Sequence, residues 1–530
     1  TYVNDLRLKE IATGDESGTW GASTNTNLEL IAEKFGTGSE ALADSSTATL
    51  TMADGTSDAF RSFALTLTGS LSQACTVTIA PNTLSNVWVV QNSAGDTVTL
   101  TQGTGSNVVI PNGGIKMIAT DGGGSGANVT DVLDLTGGTG NVGLGSGSLG
   151  SSLTTGTDNV AIGENAGDAL STGSDNTLVG DNAGGALTTG GENIAIGSAA
   201  LDAEDTGNRS VAIGFEALTA QNNDANNYNV AVGYVAGKAV TSGIRNNFFG
   251  AESGEALTTG DDNIAIGYQT LTSETAGNRT VAIGGNALDA QNSSTDTNMY
   301  NVGVGYAAGG AITTGQFNVL IGGLAGDALN DADDNIAIGT EALTTDDVGS
   351  RTVAIGSGAG FAQNTATASS PGNTLVGFQT GYHNVTGTSN TIMGYNAGAG
   401  ATGNSYSNIT AVGYHAGLSL TTGGDNTFIG RLAGEDVTTG QFNVFVGTDA
   451  GEQVTVGSSN VAIGRGALEQ DTKGSKTVAI GQGTLNAQNF TTATDGYNTA
   501  VGHNAGVAVT TGTQNTLLGS LSGDAVTTGI

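Results

Sequence analysis

From about residue 141 onward, apolar and polar positions recur every 17 residues. One copy reads Asn-x-Ala-Ile-Gly-x-x-Ala-Gly-x-Ala-Leu-Thr-Thr-Gly-x-Asp, and its best marker is the glycine closing each Asn-Val-Ala-Ile-Gly run. That glycine returns 22 times between Gly145 and Gly519, and six of the intervals are lengthened to 18, 19 or 21 residues by insertions. A fixed period this short predicts a solenoid, each copy one coil that buries its apolar side by stacking on its neighbours. The expected fold class is all-β: a repetitive β-solenoid or β-roll rod of about 22 coils over residues 137–530, behind a small N-terminal β domain. At about 4.8 Å per coil the rod is on the order of 100 Å long.

Each copy carries one short strand. Three residues before the marker stands Val, Ile or Thr, with Asn247 the exception, and one residue before it stands mostly Ile, Val or Leu. These two positions share one strand face. The residue between them points the other way and is apolar too, as in Ala161, Leu178, Ala195, Leu320, Leu375, Phe428, Phe445 and Leu517. A strand apolar on both faces is buried on both. One face is the coil interior, and the other needs a partner. An identical chain is the economical one, so a homotrimer of packed or intertwined rods is expected.

Four residues before the marker stands Asn in 17 of 22 copies, among them Asn159, Asn176, Asn193, Asn263, Asn335 and Asn426, which predicts a hydrogen-bonded ladder along the rod. The marker glycines (Gly163, Gly180, Gly197 and Gly214 among them) and the glycines of Ala-Gly and Thr-Thr-Gly are expected at positive φ. In four copies Ser210, Thr280, Thr352 or Thr477 replaces the Asn, preceded by Arg209, Arg279, Arg351 or Lys476. Acidic residues precede each such coil (Glu204 and Asp205, Glu274, Asp346 and Asp347, Asp471), and an Ala-Gln-Asn run with an insertion follows it. The basic residue is expected to pair with those carboxylates across a coil or chain boundary, setting register more than stability.

Ahead of the repeats, residues 1–36 hold two segments with helical spacing, "NDLRLKEIATG" and "NTNLELIAEKFG", and Trp20. They suggest a docking segment. Residues 37–136 alternate apolar and polar between turn residues, which predicts a small antiparallel β domain with a hairpin at "QNSAGDTVTL" and a glycine-rich joint beyond it.

Composition narrows the partners. A net charge of −34 disfavours nucleic acid, and 88 glycines with only three prolines and no Gly-X-Y period exclude collagen. The single cysteine, Cys75, excludes an internal disulfide framework. No run of 18 apolar residues predicts a transmembrane helix, so membrane insertion is not expected, and no signal-peptide pattern is visible. The closing "DAVTTGI" stops inside a repeat, so the native chain is expected to continue into a tip or trimerisation domain.

Candidate chemistry is thin. Asp158, Asp175, Asp262, Asp334 and Asp425 all precede the ladder Asn; a repeated turn position is not the pair of contrasting environments that acid/base catalysis needs, so no catalytic residue is assigned. His383, His415 and His503 lie in separate coils and make no transition-metal cluster. A Ca²⁺ or Na⁺ held by Asp/Asn turns stays open, and no cofactor is expected. The residue after the marker is often aromatic: Phe215, Phe378 and the surface-binding candidates Tyr234, Tyr268, Tyr306, Tyr395 and Tyr414. Such a row can stack on sugar rings, or pack across chains and cap the coil edge. Adjacent threonines of Leu-Thr-Thr-Gly point to opposite faces and cannot make the flat pair that ice binding requires.

The "NVAIG…NTLVG…NIAIG…SVAIG" run resembles head repeats of trimeric autotransporter adhesins and rod segments of phage tail fibres. The segments "TYVNDLRLKEIATGDESGTWGASTNTNLELIAE" and "DGTSDAFRSFALTLTGSLSQACTVTIAPNT" resemble the virion-attached end of tail fibres from marine and cyanobacterial phages. The resemblance implies a homotrimeric virion fibre. It would be bound through residues 1–36 to a phage tail or capsid protein and would reach a host-surface glycan or protein. The adhesin head repeat is nearer 14 residues, and neither membrane-anchor barrel nor coiled-coil stalk follows here. A bacterial surface adhesin or a self-assembling extracellular filament is the alternative.

Overall fold

The computed structural model describes the chain except residues 1, 4–5, 12–17, 133–139, 151, 366 and 530. It divides into two compact units, Thr1–Thr136 and Gly137–Ile530. Residues 12–17 near the link between the N-terminal segments and 133–139 of the expected joint lie outside the described residues; the earlier part of that joint is not a flexible linker, since Val129–Asp131 is a paired strand.

The first unit begins with two-residue strands β1 (Tyr2–Val3) and β2 (Leu8–Lys9), paired antiparallel. The described part of the first segment with helical spacing is therefore a turn and the strand β2: Arg7, at φ 54°, turns the chain back, and a buried Arg61 binds the Leu6 carbonyl. The second segment is helical as expected, in α1 (Trp20–Lys34). Its end is tied down by Lys34, whose ammonium donates to the Val87 carbonyl at 2.8 Å and stands over the Trp88 ring; burial pulls its pKa down to about 8.

Strands β3 (Thr37–Leu42), β4 (Thr47–Thr51), β5 (Ala64–Gly69), β6 (Cys75–Ala80), β7 (Ser85–Ser93) and β8 (Val98–Thr101) alternate between two sheets. β3, β5 and β7 pair in parallel, and so do β4, β6 and β8. This overturns the antiparallel expectation: the core of this unit is three short two-strand coils. Only β9 (Val108–Ile110), β10 (Ile115–Asp121) and β11 (Val129–Asp131) add antiparallel. The expected hairpin at "QNSAGDTVTL" fails for the same reason, because β7 and β8 belong to different sheets. Strand alternation looks alike in both topologies; the register that separates them is not local.

The second unit is a solenoid whose three-residue strands, one per coil, form a single 22-stranded parallel sheet. Pairing keeps the repeat in register, for example Val160↔Thr177, Ala161↔Leu178 and Ile162↔Val179. The middle residue of each strand points inward; from Ala161 to Ala500 it is at most 2% exposed wherever it is not glycine, and Gly303 is buried too. The marker glycine follows at φ between 116° and 149°. A Cβ on Gly180 would sit 2.5 Å from the Gly197 carbonyl oxygen, so both backbone angle and coil spacing demand glycine. The Ala-Gly glycines also sit near φ 60°. Those of Thr-Thr-Gly, and of the Ser-Thr-Gly that replaces it at Gly173, do not: Gly156, Gly173 and Gly190 lie outside the left-handed region. There glycine is required by close approach instead, since a Cβ on Gly173 would meet the Gly190 carbonyl.

Interior volume is shared between neighbouring coils. Leu178 fills the space above Gly167 and Gly184, where an added Cβ would lie 2.6 and 2.9 Å from its methyls. Phe248 stands likewise against Gly237 and Gly254, and Phe428 against Gly417 and Gly434. Where the strand residue is Ala, as in Ala212 and Ala282, the glycine position is taken by a buried leucine: Leu201, Leu218, Leu271, Leu288. Large at one site and small at the other keeps the coil close-packed.

Candidate functional site

Four columns of side chains run along the rod, and each has its own chemistry. The first is the asparagine ladder, which is buried in every coil but the last, where Asn515 is half-buried. Asn159 Nδ2 donates to Asn141 Oδ1 and to the Gly173 carbonyl, both at 2.9 Å, while its Oδ1 accepts from Asn176 N and Nδ2 at 3.0 and 2.9 Å. All four hydrogen-bonding capacities of the amide are used, which is what burial requires. Asn193, Asn263, Asn335 and Asn426 sit in the same column, their amides donating at 2.8–2.9 Å to the Gly207, Gly277, Gly349 and Gly440 carbonyls. In one coil Ile409 replaces the Asn, and the buried Tyr406 fills the interior beside it.

The second column is the interior position of Leu170 and Leu187, and here the four irregular coils reveal their logic. Glu204, Glu274, Asp346 and Asp471 take this position and are fully buried, as are Gln221, Gln291, Gln363 and Gln488 one coil later. Each glutamine amide donates to the carboxylate, at 2.9, 2.8, 2.6 and 2.6 Å. It also donates to the hydroxyl standing in the ladder: Ser210, Thr280, Thr352 or Thr477. Its oxygen accepts from the next ladder amide: Asn229, Asn301, Asn373 or Asn498. Backbone N–H groups complete the carboxylate shell, such as Gly207 on Glu204 and Gly474 on Asp471. Burial still holds the Glu204 and Asp471 carboxyls above the ordinary carboxylate range, against the lowering pull of those bonds.

The expected pairing of the basic residues with these carboxylates is therefore wrong. Glu204, Glu274, Asp346 and Asp471 are inside and bind neutral amides; the cations are outside, and Asp205 and Asp347, less buried, make no ion pair with them among the described residues. Arg209 pairs with Glu192 at 2.7 Å, Arg351 with Asp334 at 3.5 Å and Lys476 with Asp495 at 2.7 Å. Arg209, Arg279 and Lys476 also cover the rings of Tyr228, Tyr300 and Tyr497. The Ala-Gln-Asn run announced the irregular coils; that its glutamine was the carboxylate's partner was readable only with coil stacking in hand.

The third column is the outward sheet face. Ile162, Ile194, Ile196, Ile266, Ile321, Ile429 and Ile463 are 37–40% exposed, and neither outward position is charged in any of the 22 strands. The threonines of Thr-Thr-Gly lie elsewhere, and their hydroxyls are committed. Thr154, Thr188 and Thr258 donate to the next coil's carbonyl at 3.2, 3.0 and 2.8 Å.

The fourth column follows the marker glycine. Phe378, Tyr395 and Tyr414 form a continuous stack at 5.1 and 5.6 Å, and Phe215 stacks on Tyr234 at 5.5 Å. Tyr268 and Tyr306, 55% and 64% exposed, make no ring contact among the described residues. His415 lies against Tyr414 and bonds Glu435. Among the described residues, no group of three His, Cys, Asp or Glu side chains could hold a metal ion. Asp158, Asp175, Asp262, Asp334 and Asp425 all occupy the same left-handed turn at φ 57–61°. In the described residues no helix is long and apolar enough to cross a membrane. No protein-family model, curated protein or solved structure matches the chain.

Proposed function

We propose that this chain is a non-enzymatic structural fibre whose rod packs against two further copies through its sheet face. The observation that carries the reading is that face: an uncharged Ile/Val/Thr surface continuous over 22 strands, in a chain of net charge −34. An apolar strip of that length is far beyond the isolated patches of a soluble monomer, and identical strips in register cover one another. The first unit is the attachment end. Its helix and the residue that ends it leave Trp20, Leu28 and Phe35 at 64, 60 and 83% exposure, a surface suited to a phage tail or capsid protein. The rod then serves as the part of an extracellular virion that meets the host surface.

Light scattering on the purified chain, with negative-stain images of the same sample, tests this. Three copies in a slender rod are expected, and Ile196→Lys with Ile213→Lys should disperse them while the β signal in circular dichroism persists. A monomeric wild-type rod would defeat the reading. Gold labelling of phage particles against bacterial cell envelopes separates the virion fibre from a surface adhesin.

A further inference from the structure

The row after the marker glycine is not uniform, and its one gapped stretch is built differently from the rest. Where consecutive coils carry rings, the rings stack within 5.1–5.6 Å and consume each other's faces. From Ala251 to Gly323 the row instead alternates small and aromatic: Ala251, Tyr268, Gly285, Tyr306, Gly323. Tyr268 and Tyr306 thus stand two coils apart, about 9.6 Å by strand spacing, with only a glycine between them. They are among the most exposed aromatics of the rod.

The floor of the gap is fixed. Asn286 N donates to the Tyr268 carbonyl at 3.0 Å, and Ala307 N donates to the Gly285 carbonyl at 3.0 Å. The Gly285 Cα faces open space: an added Cβ would meet nothing nearer than the Tyr268 oxygen and the Tyr306 Cδ2, both at 3.9 Å. Beside it the half-buried Asn286 side-chain amide has no hydrogen-bond partner among the described residues, whereas its neighbour Gln269 is held by Glu252 at 2.7 Å.

We infer that the slot between Tyr268 and Tyr306 binds an uncharged pyranose ring of a glycan, stacked between the two tyrosines over Gly285 and hydrogen-bonded by the Asn286 amide. Carbon atoms in contact sit about 3.5–4.0 Å apart, so a gap of about 9.6 Å is wide for a flat ring and fits a puckered one with axial hydrogens. An amide that both donates and accepts suits hydroxyls. The overall charge of −34 repels acidic sugars, and Glu252, two coils before Asn286 and bonded to Gln269, adds to it on that side. The slot names the ligand class for the host-surface part of the proposed function and rests on that reading only for its biological meaning.

Saturation-transfer NMR with neutral methyl pyranosides, and with neutral and sialylated oligosaccharides, tests the slot on the full chain. Neutral pyranosides should bind, and both Tyr306→Ala and Gly285→Tyr should weaken them roughly tenfold or more, the range seen when a stacking ring is lost. Gly285→Tyr is the decisive variant. Gly285 lies outside the left-handed region and has room for a side chain, and Phe378, Tyr395 and Tyr414 show that three consecutive rings fit. Circular dichroism should therefore match wild type. Conversely, Tyr395→Gly should open a second slot and add binding. Absence of neutral pyranoside binding at millimolar concentration, unchanged binding in Gly285→Tyr, or preference for the sialylated probe would overturn the inference. A monomeric mass in light scattering defeats the fibre reading and leaves the slot standing; failure of the Gly285→Tyr arm does the reverse.

Discussion

Ala212→Leu should destabilise the rod in one background and stabilise it in another. In the wild type, Ala212 lies between Leu201 and Leu218, and all three are fully buried. A leucine at 212 would enter space those two already fill. Overpacking of this kind costs about 1–3 kcal/mol. Leu201→Gly with Leu218→Gly empties the same space, at about 2–5 kcal/mol per leucine. Part of that loss returns through the backbone, because Leu201 and Leu218 sit at φ 54° and 50°, where an L-residue costs roughly 1–2 kcal/mol and glycine does not. Adding Ala212→Leu to the double-glycine chain recreates the arrangement of Leu178 between Gly167 and Gly184. There it should regain about 2 kcal/mol or more by refilling the void, so the coupling energy exceeds either simple error bar. Urea denaturation followed by circular dichroism, with hydrogen exchange over residues 195–233, reads the effect. If Ala212→Leu has the same sign in both backgrounds, the shared-volume argument is refuted.

Other columns give sharper local tests. Gly180→Ala adds a Cβ 2.5 Å from the Gly197 carbonyl oxygen at φ 138° and should cost several kcal/mol, while Gly323→Ala, with nothing within 4 Å, should leave the melting temperature unchanged. Asn159→Asp removes two buried donors at 2.9 Å and faces a carboxylate toward two acceptors. At pH 7 it should cost on the order of 3 kcal/mol, with faster exchange of the Asn176 amide, and acid should relieve the defect by restoring one donor. Glu204 and Asp471 have carboxyls raised by burial, so the folded rod holds their protons more tightly than the unfolded chain. Their contribution is therefore fully present below the unfolded value of about 4.3 for Glu or 3.9 for Asp, and is lost as pH rises through the folded value. Protection of the Gly207 and Gly474 amides should fall across that window, and Glu204→Gln should flatten the trend at Gly207 alone; an unchanged slope in that variant would reject the burial argument.

The rod was legible in the sequence because its period is enforced one contact at a time. A residue at Asn176 touches its equivalents at 159 and 193, so the same demand is written 17 residues apart and the pattern repeats itself into view. The outward face was legible too, since Val160 and Ile162 are apolar on the side away from Ala161. The N-terminal unit was not. β5 pairs in parallel with both β3 and β7 across intervals filled by the strands of a second sheet, and strand alternation carries no mark of which neighbour a strand will choose. The buried acids failed for a related reason. Glu204 beside Asp205, ahead of Arg209, reads as a surface charge group until coil stacking places Glu204 in the leucine column with Gln221 above it.

Function in such a rod can only reside in what the stacking leaves free. Inside, each departure is matched by a second one: a large strand residue by two glycines, a buried acid by a glutamine and a ladder hydroxyl. Outside, no neighbour imposes the choice, and there the columns diverge. The sheet face stays uncharged over 22 strands although solvent alone would favour charge in a chain of −34, so something apolar selects it. The row after the marker changes from a closed stack at Phe378, Tyr395 and Tyr414 to a gapped pair at Tyr268 and Tyr306, although both would support the same coil. Packing within one chain explains neither difference. A second copy of the rod is the cover proposed for the first, and a sugar ring the occupant proposed for the second.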